Sequence, residues 1–124
     1  MTTEQLRDLD WQVARDLMGW KLWKYQRGWA RTFARPPEWH ETSTLEATAT
    51  EERYDDWDRT VPHYSTDHNA VALVRAEIVR RCRDEVFIVE LAEMFLGDVF
   101  ALMTATPEQQ CIAALRAVGK EVTT

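Results

Sequence analysis

Between Trp20 and Arg35 the chain reads WKLWKYQRGWARTFAR, a stretch in which aromatic rings are interleaved with cations and no acid intervenes. Aromatic rings stack on nucleobases, while Lys and Arg meet phosphates, Arg often through two parallel hydrogen bonds. Trp23, Tyr25 and Trp29, set among Arg27, Arg31 and Arg35, therefore form a candidate pocket for a nucleotide-type small molecule. In that reading the rings stack on the base and the three arginines pair with the phosphates. A half-buried strand gives the same pattern when pleating turns its rings inward and its cations outward. Trp23, Trp29, Trp39 and Trp57 are nevertheless too many for one small core. An exposed tryptophan marks a ligand or partner surface.

A second candidate lies at Tyr64-Ser65-Thr66, just before a helix whose free N–H groups could hold an anion. Helix capping uses the same atoms and Asp67 would repel an anion, so capping is the stronger reading. His63 and His68 flank this turn without the i, i+4 spacing of a zinc hydrolase helix, and His40 stands between Glu38 and Glu41. Spacing nominates no metal set. Cys82 and Cys111 fit neither a disulfide framework nor a zinc site and are expected as buried free thiols on apolar helix faces. No nucleophile elbow, phosphate-binding glycine loop or Cys–His pair is present in the sequence. The expectation is a binding protein, not an enzyme, with no cofactor and no metal.

These residues need a frame, and 124 residues provide one domain with room for a core. The net charge of -6 argues against nonspecific nucleic-acid binding. No run is long and apolar enough for a membrane span, and the charged first twenty residues do not read as a secretory signal, so a cytoplasmic location is expected. Charge is segregated. Residues 21–35 are basic, while 36–63 carry Glu38, Glu41, Glu46, Glu51, Glu52, Asp55, Asp56 and Asp58 against Arg53 and Arg59.

Leu6, Leu9, Val13 and Leu17 recur at helical spacing and predict a first helix over about 3–18, capped by Thr2 or Thr3 and closed at Gly19. Residues 20–35 predict two short strands turning near Gly28. Residues 36–63, opened by Pro36-Pro37, predict a long loop that moves, with room for a short helix around 49–56. A helix capped by Ser65 or Thr66 follows, with Val71, Val74, Ile78 and Cys82 on its buried stripe. VFIVEL (86–91) and Val99–Met103 predict two strands joined at Gly97-Asp98. Thr106, Pro107 and Gln109 open a final helix with a capping box, and Gly119 ends it. The expected architecture is α+β: an α-β-α layered sandwich, with a mostly antiparallel sheet of about four strands covered by three helices.

Three motifs in order, Met18-Gly19-Trp20, Tyr64-Ser65-Thr66-Asp67 and the Thr106–Gly119 helix, resemble those of the phage ABA sandwich domain family, small proteins of bacteriophages and prophages. The resemblance leaves out residues 21–61, which are longer and more aromatic than the family pattern. It implies a sheet between helix layers and action in the cytoplasm of an infected bacterium, and it transfers no catalytic residues. The expected function is a phage-encoded sponge that sequesters a nucleotide-type defence signal. The alternative is a module that inhibits a host protein through the acidic segment carrying Trp39, Tyr54 and Trp57. A closed homo-oligomer is expected in either case, with its interface at the tryptophans of 23–57 and the basic strip of one protomer against the acidic segment of the next.

Overall fold

The computed structural model describes residues 1–25, 32–42, 47–50 and 60–122. Along the chain the elements are α1 (Thr3–Asp16), β1 (Lys21–Tyr25), β2 (Thr32–Arg35), α2 (Pro37–Thr42), β3 (Ala47–Thr50), α3 (His68–Arg80), α4 (Asp84–Met94), α5 (Val99–Met103) and α6 (Pro107–Ala117). Helices α1, α3, α4 and α6 pack around one core, and the three strands form a small sheet at its side.

Each long helix begins and ends where side-chain chemistry dictates. In α1 the Thr2 hydroxyl accepts from Gln5 N–H while the Gln5 side chain returns to Thr2 N–H, a capping box. Leu9, Val13 and Leu17 are fully buried along its inner stripe. Burying such aliphatic side chains contributes about 1.5–3 kcal/mol each. Gly19 follows at φ 79°, and a Cβ there would stand 2.9 Å from Pro37 Cγ, so the glycine both turns the chain and seats α2. Helix α6 repeats the capping box with Thr106 and Gln109, has Pro107 at its start, and buries Cys111 and Leu115.

The expected sandwich is not formed. Among the described residues the protein is mostly helical, and its sheet has three strands, ordered β2-β1-β3, all from the N-terminal half. Both C-terminal strands of the sequence reading are helices: VFIVEL lies inside α4 and Val99–Met103 is α5. A short unbroken apolar run does not distinguish a strand from a helix, and here packing overrides β-branched propensity. Phe87 and Leu91, one helical turn apart, are buried in the common core, and α4 lies along α6. Gly97-Asp98 is not a hairpin turn. Gly97 N–H closes the end of α4 on Ala92 O, and Asp98 caps α5 by accepting from Phe100 and Ala101 N–H.

The two short strands expected over 20–35 form β1 and β2, which pair antiparallel with Lys21 opposite Arg35 and Trp23 opposite Phe33, while the turn near Gly28 lies outside the described residues. The presumed loop 36–63 contributes α2 and β3, and β3 adds antiparallel to β1. Residues 49–50 belong to β3, whereas the rest of the suggested 49–56 helix lies outside the described residues. Helix α3 begins at His68 with Asp67 as its cap, not Ser65 or Thr66. Cys111 is buried as expected. Cys82 is exposed, because α3 ends before it and leaves it at φ 57°.

Candidate functional site

Antiparallel pairing and pleating assign the sheet two faces. Leu22 and its partner Ala34 turn into the helical core and are buried there. Trp23 and Phe33, and Lys21 and Arg35, occupy the opposite face. Helix α2 lies over that face and brings Trp39 and His40 onto it. The Trp23 ring meets Trp39 edge-on at 5.0 Å and His40 at 5.2 Å, and Phe33 meets Trp39 edge-on at 5.5 Å. The Arg35 guanidinium stands 4.7 Å over the Phe33 ring and donates to its neighbouring Ala34 carbonyl at 2.7 Å.

Two features of this cluster bear on what it could bind. Trp23 Nε1 and His40 Nε2 are shut off from water and have no hydrogen-bond partner among the described residues. A buried polar atom without a partner costs about 1–3 kcal/mol, so such atoms are rare unless something else satisfies them. Beside them Lys21 and Arg35 face each other across the hairpin, and neither has an ion-pair partner among the described residues. Like charges directly opposite on a sheet repel, and an anion placed between them would relieve that repulsion.

Of the residues nominated from sequence, Trp23 and Arg35 enter this cluster. Tyr25 ends β1 in register with Ala47. Arg27, Trp29 and Arg31 lie outside the described residues, as do Tyr54 and Trp57 of the acidic segment. Phe33 and His40 were not nominated, and Trp39 was placed only on the acidic segment of the alternative reading. Their signal was Pro36-Pro37, the start of a short helix that folds back on the strands, with Pro37 resting on Gly19.

The Tyr64-Ser65-Thr66 turn is built differently. Ser65 N–H donates to the buried Asp10 carboxylate at 2.6 Å, Ser65 Oγ donates to Leu6 O, and Thr66 N–H donates to His63 O at 3.2 Å. Those N–H groups are thus already used, and the turn docks α3 onto α1 instead of facing a ligand. Arg7 completes the lock, donating to Asp10 at 2.8 Å and to Val61 O at 3.1 Å. Tyr64 is buried, which pushes its hydroxyl up to about 12, partly offset by a hydrogen bond with Trp20. His63 and His68 are both exposed, and among the described residues no group of three or more His, Cys, Asp or Glu could hold a metal.

Comparison with protein-family models, curated proteins and solved structures finds no match for this chain. The described residues form a three-stranded sheet beside the helices, not the layered sheet that the resemblance to the phage ABA sandwich family implied. Among the described residues no helix is long and apolar enough to cross a membrane.

Proposed function

We propose that this protein binds, without transforming it, a planar anionic small molecule of nucleotide type at the face made by β1, β2 and α2. The observation that carries the reading is a pair of buried hydrogen-bonding atoms without a partner among the described residues, Trp23 Nε1 and His40 Nε2, within an aromatic cluster beside Lys21 and Arg35. A base or a similar heterocycle offers an acceptor to the indole N–H and a second polar edge to the imidazole, which donates or accepts according to tautomer. Lys21 and Arg35 supply the charge for a phosphate. No nucleophile, general base or metal takes part in this reading. Its biological use is sequestration, such as the capture of a bacterial defence nucleotide by a phage protein.

Thermal unfolding with mononucleotides, cyclic dinucleotides and ADP-ribose derivatives tests the reading. A ligand present at a hundred times its Kd adds about 2.7 kcal/mol, a Tm rise on the order of 10 °C for a chain of this size. The rise is expected with at least one of these compounds and is expected to shrink in Arg35→Ala. No shift with any of them contradicts the proposal.

A further inference from the structure

Helix α4 carries apolar residues on more than one side, yet only one side of it is covered. Phe87 and Leu91 face the core, while Val86, Ile88 and Val89 are exposed on the outer surface. The exposed surface continues through the turn after α4 and onto α5, where Leu96 is 97% exposed, Phe100 82% and Met103 81%. These six side chains present on the order of 800 Å² to water, the area that each partner of a standard protein interface buries. Isolated exposed apolar residues need no explanation; a surface of this extent does.

Leu96 adds an independent observation. It sits at φ 52° in the left-handed region, at the position where α4 closes with Leu96 N–H on Glu93 O and Gly97 N–H on Ala92 O. Glycine is the residue for that position, and a leucine there strains the backbone. Since its side chain is almost wholly exposed, the strain is not offset by packing within this chain.

Charge selects the occupant. From Asp84 to Leu115 the chain carries Asp84, Glu85, Glu90, Glu93, Asp98 and Glu108 and no Lys, Arg or His. Asp84, Glu85, Glu93 and Asp98 are exposed beside the apolar surface. A second copy docked by two-fold symmetry would set this acidic rim against itself, and anionic lipid would meet the same repulsion. We infer that the outer face of α4 and α5 docks a basic amphipathic helix of another protein, whose apolar stripe covers Ile88, Val89, Leu96, Phe100 and Met103 while its Lys and Arg residues meet the acidic rim. This surface is separate from the aromatic cluster, so either assignment can fail without the other.

The test uses the full chain and two synthetic helical peptides, one with Leu on one face and Lys on the other, its counterpart with Glu at every Lys position. The Lys peptide is expected to bind saturably at one site, weakening as salt is raised, and the Glu peptide at least about tenfold more weakly. Phe100→Asp is expected to cost about tenfold in affinity with its fold intact, because Phe100 packs on little within the chain. Leu96→Gly separates docking from folding: it relieves the backbone, raising Tm, yet weakens the peptide complex. Equal binding of the two peptides, unchanged affinity in both variants, or a stable dimer of the protein alone that Phe100→Asp dissociates would each overturn the proposal.

Discussion

Asp10 is a carboxylate with no exposure to water, held by Arg7 at 2.8 Å and by Ser65 N–H at 2.6 Å. Burying it is worthwhile only while both donors are in place, and those donors in turn depend on it. Asp10→Ala would leave the Ser65 N–H without its acceptor and the Arg7 guanidinium without this carboxylate, on the backbone carbonyls of the 61–67 turn. The expected cost is about 3 kcal/mol in urea unfolding; a loss below about 0.5 kcal/mol, the range of an ordinary surface substitution, would show that the network is dispensable. Glu77 is held by charge in a different way. Hydrogen bonding from Arg80, joined by Arg81, brings its carboxyl down to about 2 from the ordinary 4.5. A carboxyl lowered by folding stabilises the fold above its unfolded value, and that stability is lost as pH falls toward the folded one. Glu77→Gln is therefore expected to cost about 1 kcal/mol at neutral pH, a modest figure because Arg80 is largely exposed. The difference between the two proteins should vanish between about pH 4.5 and 2. A constant difference across that range would mean that the charge is not responsible.

Helix ends decide how the elements meet, and two of them predict shifts of opposite sign. Gly19 closes α1 at φ 79° against Pro37, so Gly19→Ala meets both a left-handed backbone and a Cβ contact of 2.9 Å with the start of α2. It is expected to cost about 2 kcal/mol and to displace the helix that carries Trp39 and His40. Cys82 occupies the same kind of position after α3, with Arg83 N–H on Ile78 O and Cys82 N–H on Val79 O. It is exposed, so Cys82→Gly loses no packing and is expected to raise stability by about 0.5 kcal/mol or more. Paired thermal melts check both signs. These ends also divide what the sequence disclosed from what it hid. Thr106-Pro107 with Gln109, and the stripe from Leu9 to Leu17 closed by Gly19, were legible because capping and periodicity are local. VFIVEL was misread because its choice between strand and helix rests on α6, which lies along it only in the folded chain. The candidate site was half legible for the same reason. Trp23 and Arg35 stand in a strand pattern, but Trp39 and His40 reach them only because Pro37 seats α2 on Gly19.

As a whole the molecule sets two distinct surfaces on one helical core. The helical core is held by buried aliphatic residues and the Asp10 lock. The N-terminal sheet turns Leu22 and Ala34 into that core, leaving its other face to the aromatic cluster and to Lys21 and Arg35. At the C-terminal side, α4 and α5 present an acidic apolar surface. On the proposed reading, substitutions at Arg35 or His40 should alter ligand capture with little effect on unfolding, because neither residue belongs to the buried helical core. On the proposed reading, Trp23 Nε1–H and His40 Nε2 have no partner among the described residues because a ligand supplies one to each. The direct measurement is the nitrogen–proton spectrum of the tryptophan indoles, with the Trp23 signal assigned by its loss in Trp23→Phe, recorded as the ligand that raises Tm most is titrated in. The account predicts that the Trp23 indole proton moves downfield and saturates with the ligand, and that Arg35→Ala weakens the titration. An indole signal of Trp23 that stays in place while the ligand binds would contradict it.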